Sequence, residues 1–233
     1  MRIGLFGYGK MGKMIETLAT QRGHEISAKI DVGNEEIDFS SFDIAIDFST
    51  PDSAFQNITS CFEHGIPVIS GTTGWLERFD EAVSICNEKN SGFIYASNFS
   101  LGVNIFFALN DQLAKMMANL EQYEVSMEEI HHTQKLDAPS GTAISLAEGI
   151  ISHSQYNSWK LDEKGETTIP IHSKREGNVP GTHIIDYSSA VDSIEIKHTA
   201  HNREGFALGA VLAAEWLVGK SGVYTMKDVL NLK

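Results

Sequence analysis

One short stretch of the sequence, Glu129 to Ala143, combines side chains that transfer protons with features that bind anions. His131 and His132 can exchange protons near neutral pH, and Lys135 supplies a compact positive charge. The same stretch ends in the start of a helix, a feature that binds anions. Three titratable groups beside such a helix start predict an active site for a small carboxylate or phosphate.

The same stretch predicts where that helix starts. After Thr142, apolar residues recur at helical spacing: Ala143, Leu146, Ala147, Ile150 and Ile151. The helix should begin at Ser140 or Gly141, where the first backbone N–H groups lack partners within the helix. Because such a start binds anions, we predict that Ser140, Gly141 and Thr142 hold one carboxylate of a ligand.

The two histidines are neighbours, and neighbouring side chains on a regular strand face opposite ways. His131 and His132 can therefore share a site only if the strand ends there, as the following Lys135 and Asp137-Ala-Pro139 indicate. A metal site is not predicted, because the two rings diverge and no third ligand is spaced to help. The sequence leaves open whether His131 or Lys135 donates the proton.

Composition narrows the class of protein. The chain has 233 residues, 42% of them hydrophobic, which is enough for one large core or two modest ones. A net charge of −13, with only 18 Lys and Arg, argues against a nucleic-acid partner. Two cysteines without a pattern fit a reducing cytosol. A strand starts at Arg2 and no apolar run has bilayer length, so we expect a cytoplasmic protein without signal peptide or membrane contact.

The beginning of the chain has the order strand, glycine turn, helix, strand, acid. Gly7 permits a tight turn, Gly9 lets a pyrophosphate approach the backbone, and Gly12 lets helix and strand pack closely. Asp31 follows the second strand and suits the ribose hydroxyls. This order predicts dinucleotide binding by Gly7, Gly9, Gly12 and Asp31.

Strand and helix patterns then alternate to about residue 100, which predicts an α/β fold with a Rossmann-type, doubly wound parallel sheet. The loops after its strands share one edge and should line the cofactor crevice: Ser49 to Pro51, Ser70 to Gly74 and Ser97 to Ser100. A second, α+β region follows, interrupted by the polar segment Gln155 to Thr168. We expect a dinucleotide-binding domain of residues 1–100 and 205–233, and a substrate-binding and oligomerisation domain of residues 101–204.

The motifs together resemble the 4-hydroxy-tetrahydrodipicolinate reductase (dihydrodipicolinate reductase) family over essentially the whole chain. They are the His-His-x-x-Lys-x-Asp-Ala-Pro-Ser-Gly-Thr stretch ending at Thr142, the glycine turn, Gly71 to Gly74, Ser97 to Asn104 and His201 to Phe206. The resemblance implies NAD(P)H-dependent reduction of a cyclic imine dicarboxylate in lysine and diaminopimelate biosynthesis. It also implies a Rossmann-type cofactor domain, a substrate and assembly domain, and a homotetramer.

The same resemblance assigns roles to the motif residues. His131 and Lys135 would be catalytic, and His132, Lys135, Gly141 and Thr142 would hold substrate. The nicotinamide cofactor would be bound by Gly7, Tyr8, Gly9, Lys10, Met11, Gly12, Asp31, Gly71, Thr72, Thr73, Ala96, Ser97, Asn98 and Phe99.

The chain departs from many relatives at positions that bear on cofactor choice. Val32 and Thr50 stand where many relatives have arginines that would clamp a 2′-phosphate. Asp31 would repel that phosphate, and Lys29 is the nearby cation that could soften the repulsion. We therefore predict that NADH is preferred and that NADPH is possible. The segment between Thr182 and Ile194, which helps to form the subunit interface in the family, is also shorter than in many relatives.

Two other functions compete with this interpretation. Another small dehydrogenase, such as one acting on an amino acid semialdehyde, would share the first domain but not the arrangement from Lys135 to Thr142. A non-enzymatic dinucleotide sensor would give no reason for His131, His132 and Lys135 beside an anion pocket.

Overall fold

The computed structural model describes residues 1–31 and 37–232, and the chain divides into two units, each with its own sheet. The first unit joins Met1–Leu101 to Glu204–Lys233, and the second is Gly102–Arg203. The strands are β1 Arg2–Phe6, β2 Glu25–Ile30, β3 Ile44–Asp47, β4 Val68–Ser70, β5 Gly92–Tyr95, β6 Glu124–His131, β7 Ser158–Leu161, β8 Thr168–Arg175, β9 Gly181–Ser188, β10 Ser193–Ala200 and β11 Gly222–Tyr224. The helices are α1 Lys10–Gln21, α2 Pro51–Glu63, α3 Phe79–Glu88, α4 Leu101–Met117, α5 Gly141–Ile151, α6 Glu204–Leu217 and α7 Met226–Val229.

The sheet of the first unit is parallel throughout, in the order β11-β5-β4-β3-β1-β2. One core contains apolar residues of α1 and α6, and a second core contains those of α2 and α3. This layering confirms the predicted Rossmann-type fold, in which ligands lie beyond the carboxyl ends of the strands.

Helix α6 is apolar nearly all round and is largely buried in the first unit. Its Gly209 lies against the loop after β5, where a Cβ atom would come within 1.8 Å of the Phe99 carbonyl oxygen. Any larger residue would push α6 away from the end of β5, so Gly209 sets the position of the Phe99 loop.

The second unit contains a mixed sheet in the order β10-β9-β6-β8-β7. Helices α4 and α5 supply core residues packed with the sheet, including Phe106 and Leu146. Along β6, Val125, Met127, Glu129 and His131 alternate with less buried residues, so the acid and the imidazole continue a buried face. That alternation brings two ionisable groups onto the core side of the sheet.

The polar segment that we expected to interrupt the strands contains a strand of its own. Ser158–Leu161 forms β7, which pairs in parallel with β8 at the edge of the sheet. The prediction missed it because its burial is slight and its pairing depends on a distant part of the chain. Within residues 1–31 and 37–232, no helix has the length and apolar character needed to cross a bilayer.

Candidate active site

A cleft of about 310 Å³ lies where β1, β2 and β3 of the first unit end, and residues of the predicted cofactor set line it. Gly7 has φ +88°, and a Cβ atom there would lie 2.2 Å from the Phe48 carbonyl oxygen. A Cβ atom on Gly12 would lie 2.4 Å from the Gly7 oxygen, so helix α1 can approach β1 only with glycine there. Gly9 has open space, as the approach of a phosphate requires.

The acidic end of this cleft is formed by Asp31, which follows β2. Thr50 lines the same cleft and is the N-cap residue of α2. Val32, the second position at which relatives carry an arginine, lies outside the described residues. Tyr8 also lines the cleft, while Lys10 begins α1 with an exposed side chain, and Met11 is partly buried beside Gly12.

The loops after β3 and β4 are held together by Asp47, a buried carboxylate that the sequence did not single out. It accepts hydrogen bonds from Ser49 at 2.5 Å, Ser70 at 2.9 Å and Thr72 at 2.7 Å. Burial raises the pKa of Asp47, and the hydroxyl donors oppose that rise. The Thr72 hydroxyl is thus directed inward, so the predicted contact of Thr72 with a cofactor is restricted to its backbone.

The remaining loop residues of the predicted cofactor set differ in exposure. Thr73 and Ser97 are exposed, whereas Gly71 and Ala96 are partly buried. Asn98 is partly buried, and its Oδ1 accepts from the Ser100 N–H at 2.9 Å. Phe99 is 1% exposed and belongs to the core of the first unit, so its side chain supports the loop from within.

In the second unit, Glu129 is a fully buried carboxylate at the centre of a hydrogen-bond network. It faces Ser173 on β8 and His183 on β9 in the sheet register. Ser173 donates to its Oε1 at 2.8 Å, Arg175 donates at 3.2 Å, and the Ser140 N–H donates to Oε2 at 3.0 Å. Glu129 therefore links β6 and β8 to the start of α5.

Arg175 extends this network into the loop after β6. Its Nη2 donates to the Asp137 carbonyl oxygen at 2.7 Å, and its Nε donates to the Lys135 carbonyl oxygen at 3.3 Å. The Lys135 ammonium in turn donates to both oxygens of Asp137 at 2.7 and 2.8 Å. The loop that carries Lys135 is thus fixed at its backbone by a guanidinium.

Helix α5 begins at Gly141, as its apolar spacing predicts, and Ser140 is the N-cap residue. The Ser140 hydroxyl accepts from the Ala143 N–H at 3.2 Å. No described residue accepts a hydrogen bond from the N–H of Gly141 or of Thr142. A Cβ atom at Gly141 would meet nothing within 4 Å, so open space lies beside these two donors.

Strand β6 ends at His131, as expected, and the chain turns so that the Lys135 N–H donates to the His132 carbonyl oxygen at 3.1 Å. His131 is buried, whereas His132 is only partly so. The ring that accompanies His131 is that of His183, with centroids 5.1 Å apart. Gly181 lies beside it, where a Cβ atom would come within 3.1 Å of His131 Nε2.

This arrangement corrects one argument from the sequence. We expected no third ligand near the histidine pair, but Glu129, His131 and His183 bring three potential metal-ligating atoms within 4.8 Å of one another. Two of these distances are 3.5 Å, from Glu129 to His131 Nδ1, and 3.8 Å, from Glu129 to His183 Nε2. The carboxylate already accepts from Ser140, Ser173 and Arg175, and the Ser140 hydroxyl lies 3.1 Å from His183 Nε2.

The protonation of the two imidazoles follows from their burial. Burial lowers the pKa of His183 to about 4, and it also lowers the pKa of His131 below its ordinary 6.5, although Glu129 opposes the latter shift. Both rings are therefore neutral at neutral pH in the free protein. The sequence predicted that His131 exchanges protons near neutral pH, and the burial of its ring shifts that exchange to lower pH.

The network residues that the sequence did not identify were Arg175, Ser173 and His183. One signal was present, since the alternation in β6 places Glu129 on the same face as Val125 and Met127, and a buried acid requires partners. The partners themselves lie on β8 and β9, and no local pattern gives the register of those strands.

Comparison with known proteins gives matches over both units. Two family models match, described as "Dihydrodipicolinate reductase, N-terminus" over residues 1–99 and "Dihydrodipicolinate reductase, C-terminus" over residues 102–230. A curated 4-hydroxy-tetrahydrodipicolinate reductase of Christiangramia forsetii is 58% identical, covering 99% of this chain and 98% of that protein. A second one, from Buchnera aphidicola, is 35% identical over 91% of this chain and 83% of its own.

A solved structure of a dihydrodipicolinate reductase from Paenisporosarcina, bound to dipicolinate, has a similar fold. Its TM-score is 0.76 at 22% sequence identity, with 97% of each chain covered. The structural likeness supports the fold, whereas the family models and the curated relatives identify the family. The resemblance drawn from the motifs is thus confirmed, and the chain belongs to the dihydrodipicolinate reductase family of oxidoreductases.

Proposed function

We propose that this protein reduces 4-hydroxy-tetrahydrodipicolinate, a cyclic imine dicarboxylate, to tetrahydrodipicolinate in lysine and diaminopimelate biosynthesis. The substrate gains a hydride from NAD(P)H and one proton, and its 4-hydroxyl group leaves as water. The observation that carries the proposal is the juxtaposition of Lys135, His131 and the open start of α5 in the second unit. NAD(P)H supplies a hydride when bound. We assign dinucleotide binding to the first unit and substrate binding to the second.

Binding of the substrate requires that two carboxylates be neutralised. The free N–H groups of Gly141 and Thr142 can receive one carboxylate at the positive end of the α5 dipole. Lys135 can exchange its exposed partner Asp137 for a substrate anion, because the Asp137 side chain is 63% exposed. His132 lies partly exposed in the same loop and completes the predicted substrate set.

The proton of the reaction is assigned to Lys135. In the free protein, burial holds the pKa of His131 below its ordinary value, whereas the Lys135 ammonium donates hydrogen bonds to the Asp137 carboxylate. We assign to His131 a hydrogen bond to the reacting molecule. A dianionic substrate would also raise the pKa of His131, because it brings negative charge next to the ring.

A substitution at Gly141 tests the carboxylate site. Gly141→Leu would place a side chain in the open space beside the first N–H groups of α5, so the Michaelis constant for the cyclic substrate should rise about tenfold or more. The Michaelis constant for NADH should stay within twofold, and Gly141→Ala should give a smaller rise. Steady-state kinetics measures both constants. A Leu variant that binds a planar dicarboxylate inhibitor as tightly as the parent would place the carboxylate site elsewhere.

We further propose that NADH is preferred over NADPH. Asp31 can accept hydrogen bonds from both ribose hydroxyls, and it would repel a 2′-phosphate. Thr50, which lines the same cleft, offers that phosphate no positive charge. Repulsion between like charges a few ångströms apart is on the order of a few kcal/mol before screening.

A cytoplasmic homotetramer is the assembly that we propose. Large apolar side chains exposed along α4 support contact with another subunit: Ile105, Leu109 and Met116. Light scattering of the purified protein tests it, and a monomeric mass would contradict the assembly.

A further inference from the structure

Tyr8, Glu16 and Lys29 form a hydrogen-bonded cluster at the edge of the proposed cofactor cleft. Tyr8 lies in the glycine turn, Glu16 on α1 and Lys29 on β2. Lys29 Nζ lies 2.8 Å from Glu16 Oε1 and donates to the Tyr8 hydroxyl at 3.0 Å, and that hydroxyl donates to Glu16 Oε2. The ammonium also lies 4.4 Å from the centroid of the Tyr8 ring. Glu16 and Tyr8 thus hold the Lys29 ammonium in position.

The cluster lies where a 2′-phosphate would need a positive partner. Tyr8 and Asp31 both line the cleft, and an acid at the Asp31 position contacts the ribose in dinucleotide-binding folds. Lys29 on β2 precedes Asp31 by two residues, and both residues are exposed on either side of the buried Ile30. Lys29 is therefore a cation that could reach a 2′-phosphate if its present partner released it.

The negative charge of Glu16 opposes the release of the Lys29 ammonium. The hydrogen bond with Lys29 lowers the pKa of Glu16, and the same contact raises the pKa of Lys29, so both groups are charged at neutral pH. Their pair has no net charge, so Lys29 adds no net positive charge to the cleft while Glu16 holds it. A 2′-phosphate that recruited Lys29 would leave Glu16 unpaired and close to its own negative charge.

We propose that Glu16 is a specificity-determining residue, which holds the Lys29 ammonium away from the 2′-phosphate and so keeps the cleft selective for NADH. The proposal rests on the proposed cofactor role of the first unit. It assigns a role in cofactor choice to a helix residue outside the glycine turn.

Binding of two nucleotide fragments tests this role without any turnover. Isothermal titration calorimetry would compare AMP with adenosine 2′,5′-bisphosphate for the parent and for Glu16→Gln, which keeps the shape and removes the charge. We expect the variant to bind the bisphosphate about tenfold more tightly at low ionic strength, with the gain shrinking as salt is added. Affinity for AMP should change less than about twofold, because AMP has no 2′-phosphate.

The double variant Glu16→Gln, Lys29→Met is the matched control. It should lose the gain in affinity for the bisphosphate. A gain that persists would overturn the role of Lys29. It would instead assign the 2′-phosphate to Lys13, whose ammonium lies 5.9 Å from the Tyr8 ring centroid. The role of Glu16 alone would be overturned if Glu16→Gln binds AMP normally and leaves the ratio of the affinities for the bisphosphate and AMP unchanged. Failure of the folded parent to bind AMP would contradict the cofactor role of the first unit, and the inference with it.

Discussion

Lys135→Ala should lower the turnover number by about 100- to 10,000-fold, the range that general acid catalysis contributes. His131→Ala should also lower it, by less, because the ring is neutral in the free protein and is assigned a hydrogen bond. The affinity for the dinucleotide should be nearly unchanged in both variants, since neither residue belongs to the predicted cofactor set. Steady-state kinetics together with cofactor titration measures these effects.

Two residues of β8 provide matched controls. Lys174 pairs with Glu128, and His172 pairs with Asp162, in exposed contacts of the second unit. Lys174→Ala and His172→Ala should leave the turnover number within about twofold, because exposed ion pairs of this kind contribute at most about 1 kcal/mol. Losses below about threefold in both Lys135→Ala and His131→Ala would remove these residues from the mechanism.

Glu129→Gln should lower the free energy of unfolding by about 3 kcal/mol, the lower end for breaking a buried ion pair, since Arg175 keeps some contact with solvent. The loss has two causes. Arg175 would lose its buried counter-charge, and the donors from Ser140 and Ser173 would lose a charged acceptor. Chemical denaturation near neutral pH measures the difference.

Glu128→Gln is the control for this prediction, because Glu128 is the neighbour on β6, is only partly buried, and pairs with the exposed Lys174. Its unfolding free energy should change by less than about 1 kcal/mol. An equal loss in both variants would contradict the assignment of Glu129 as the centre of a buried network.

The effect of Glu129 should also depend on pH. Burial raises its pKa, but the hydrogen bonds from Ser140 and Ser173 lower it more, and the net shift is below the ordinary 4.5. Its stabilising contribution is therefore present above the unfolded pKa and is lost as the pH falls through the folded value. The difference in the free energy of unfolding between the parent and Glu129→Gln should therefore shrink below about pH 4.5.

Local patterns predicted the parts of the site that depend on neighbouring residues. The glycine turn with its required glycines, the acid after β2 and the start of α5 at Gly141 were all visible in short windows. In each case one conformation or one close contact restricts the residue type, so the sequence carries the information directly.

The parts that the sequence did not predict depend on contacts between distant segments. Glu129 meets Ser173 and His183 only through the register of β8 and β9, and that register also buries His131 and lowers its pKa. Likewise, the pairing of Lys29 with Glu16 needs the packing of α1 on β2. Periodicity in one strand shows that a residue is buried but does not name its partner.

The most direct test of the proposed function is the catalytic efficiency of the purified protein toward the cyclic imine dicarboxylate. It should be measured with NADH and with NADPH at the same ionic strength. We predict reduction to tetrahydrodipicolinate, with a higher efficiency for NADH because Asp31 repels the 2′-phosphate. An equal or higher efficiency with NADPH would contradict the cofactor preference. Absence of turnover with either cofactor, in protein that is folded and binds dinucleotide, would contradict the proposed reaction itself.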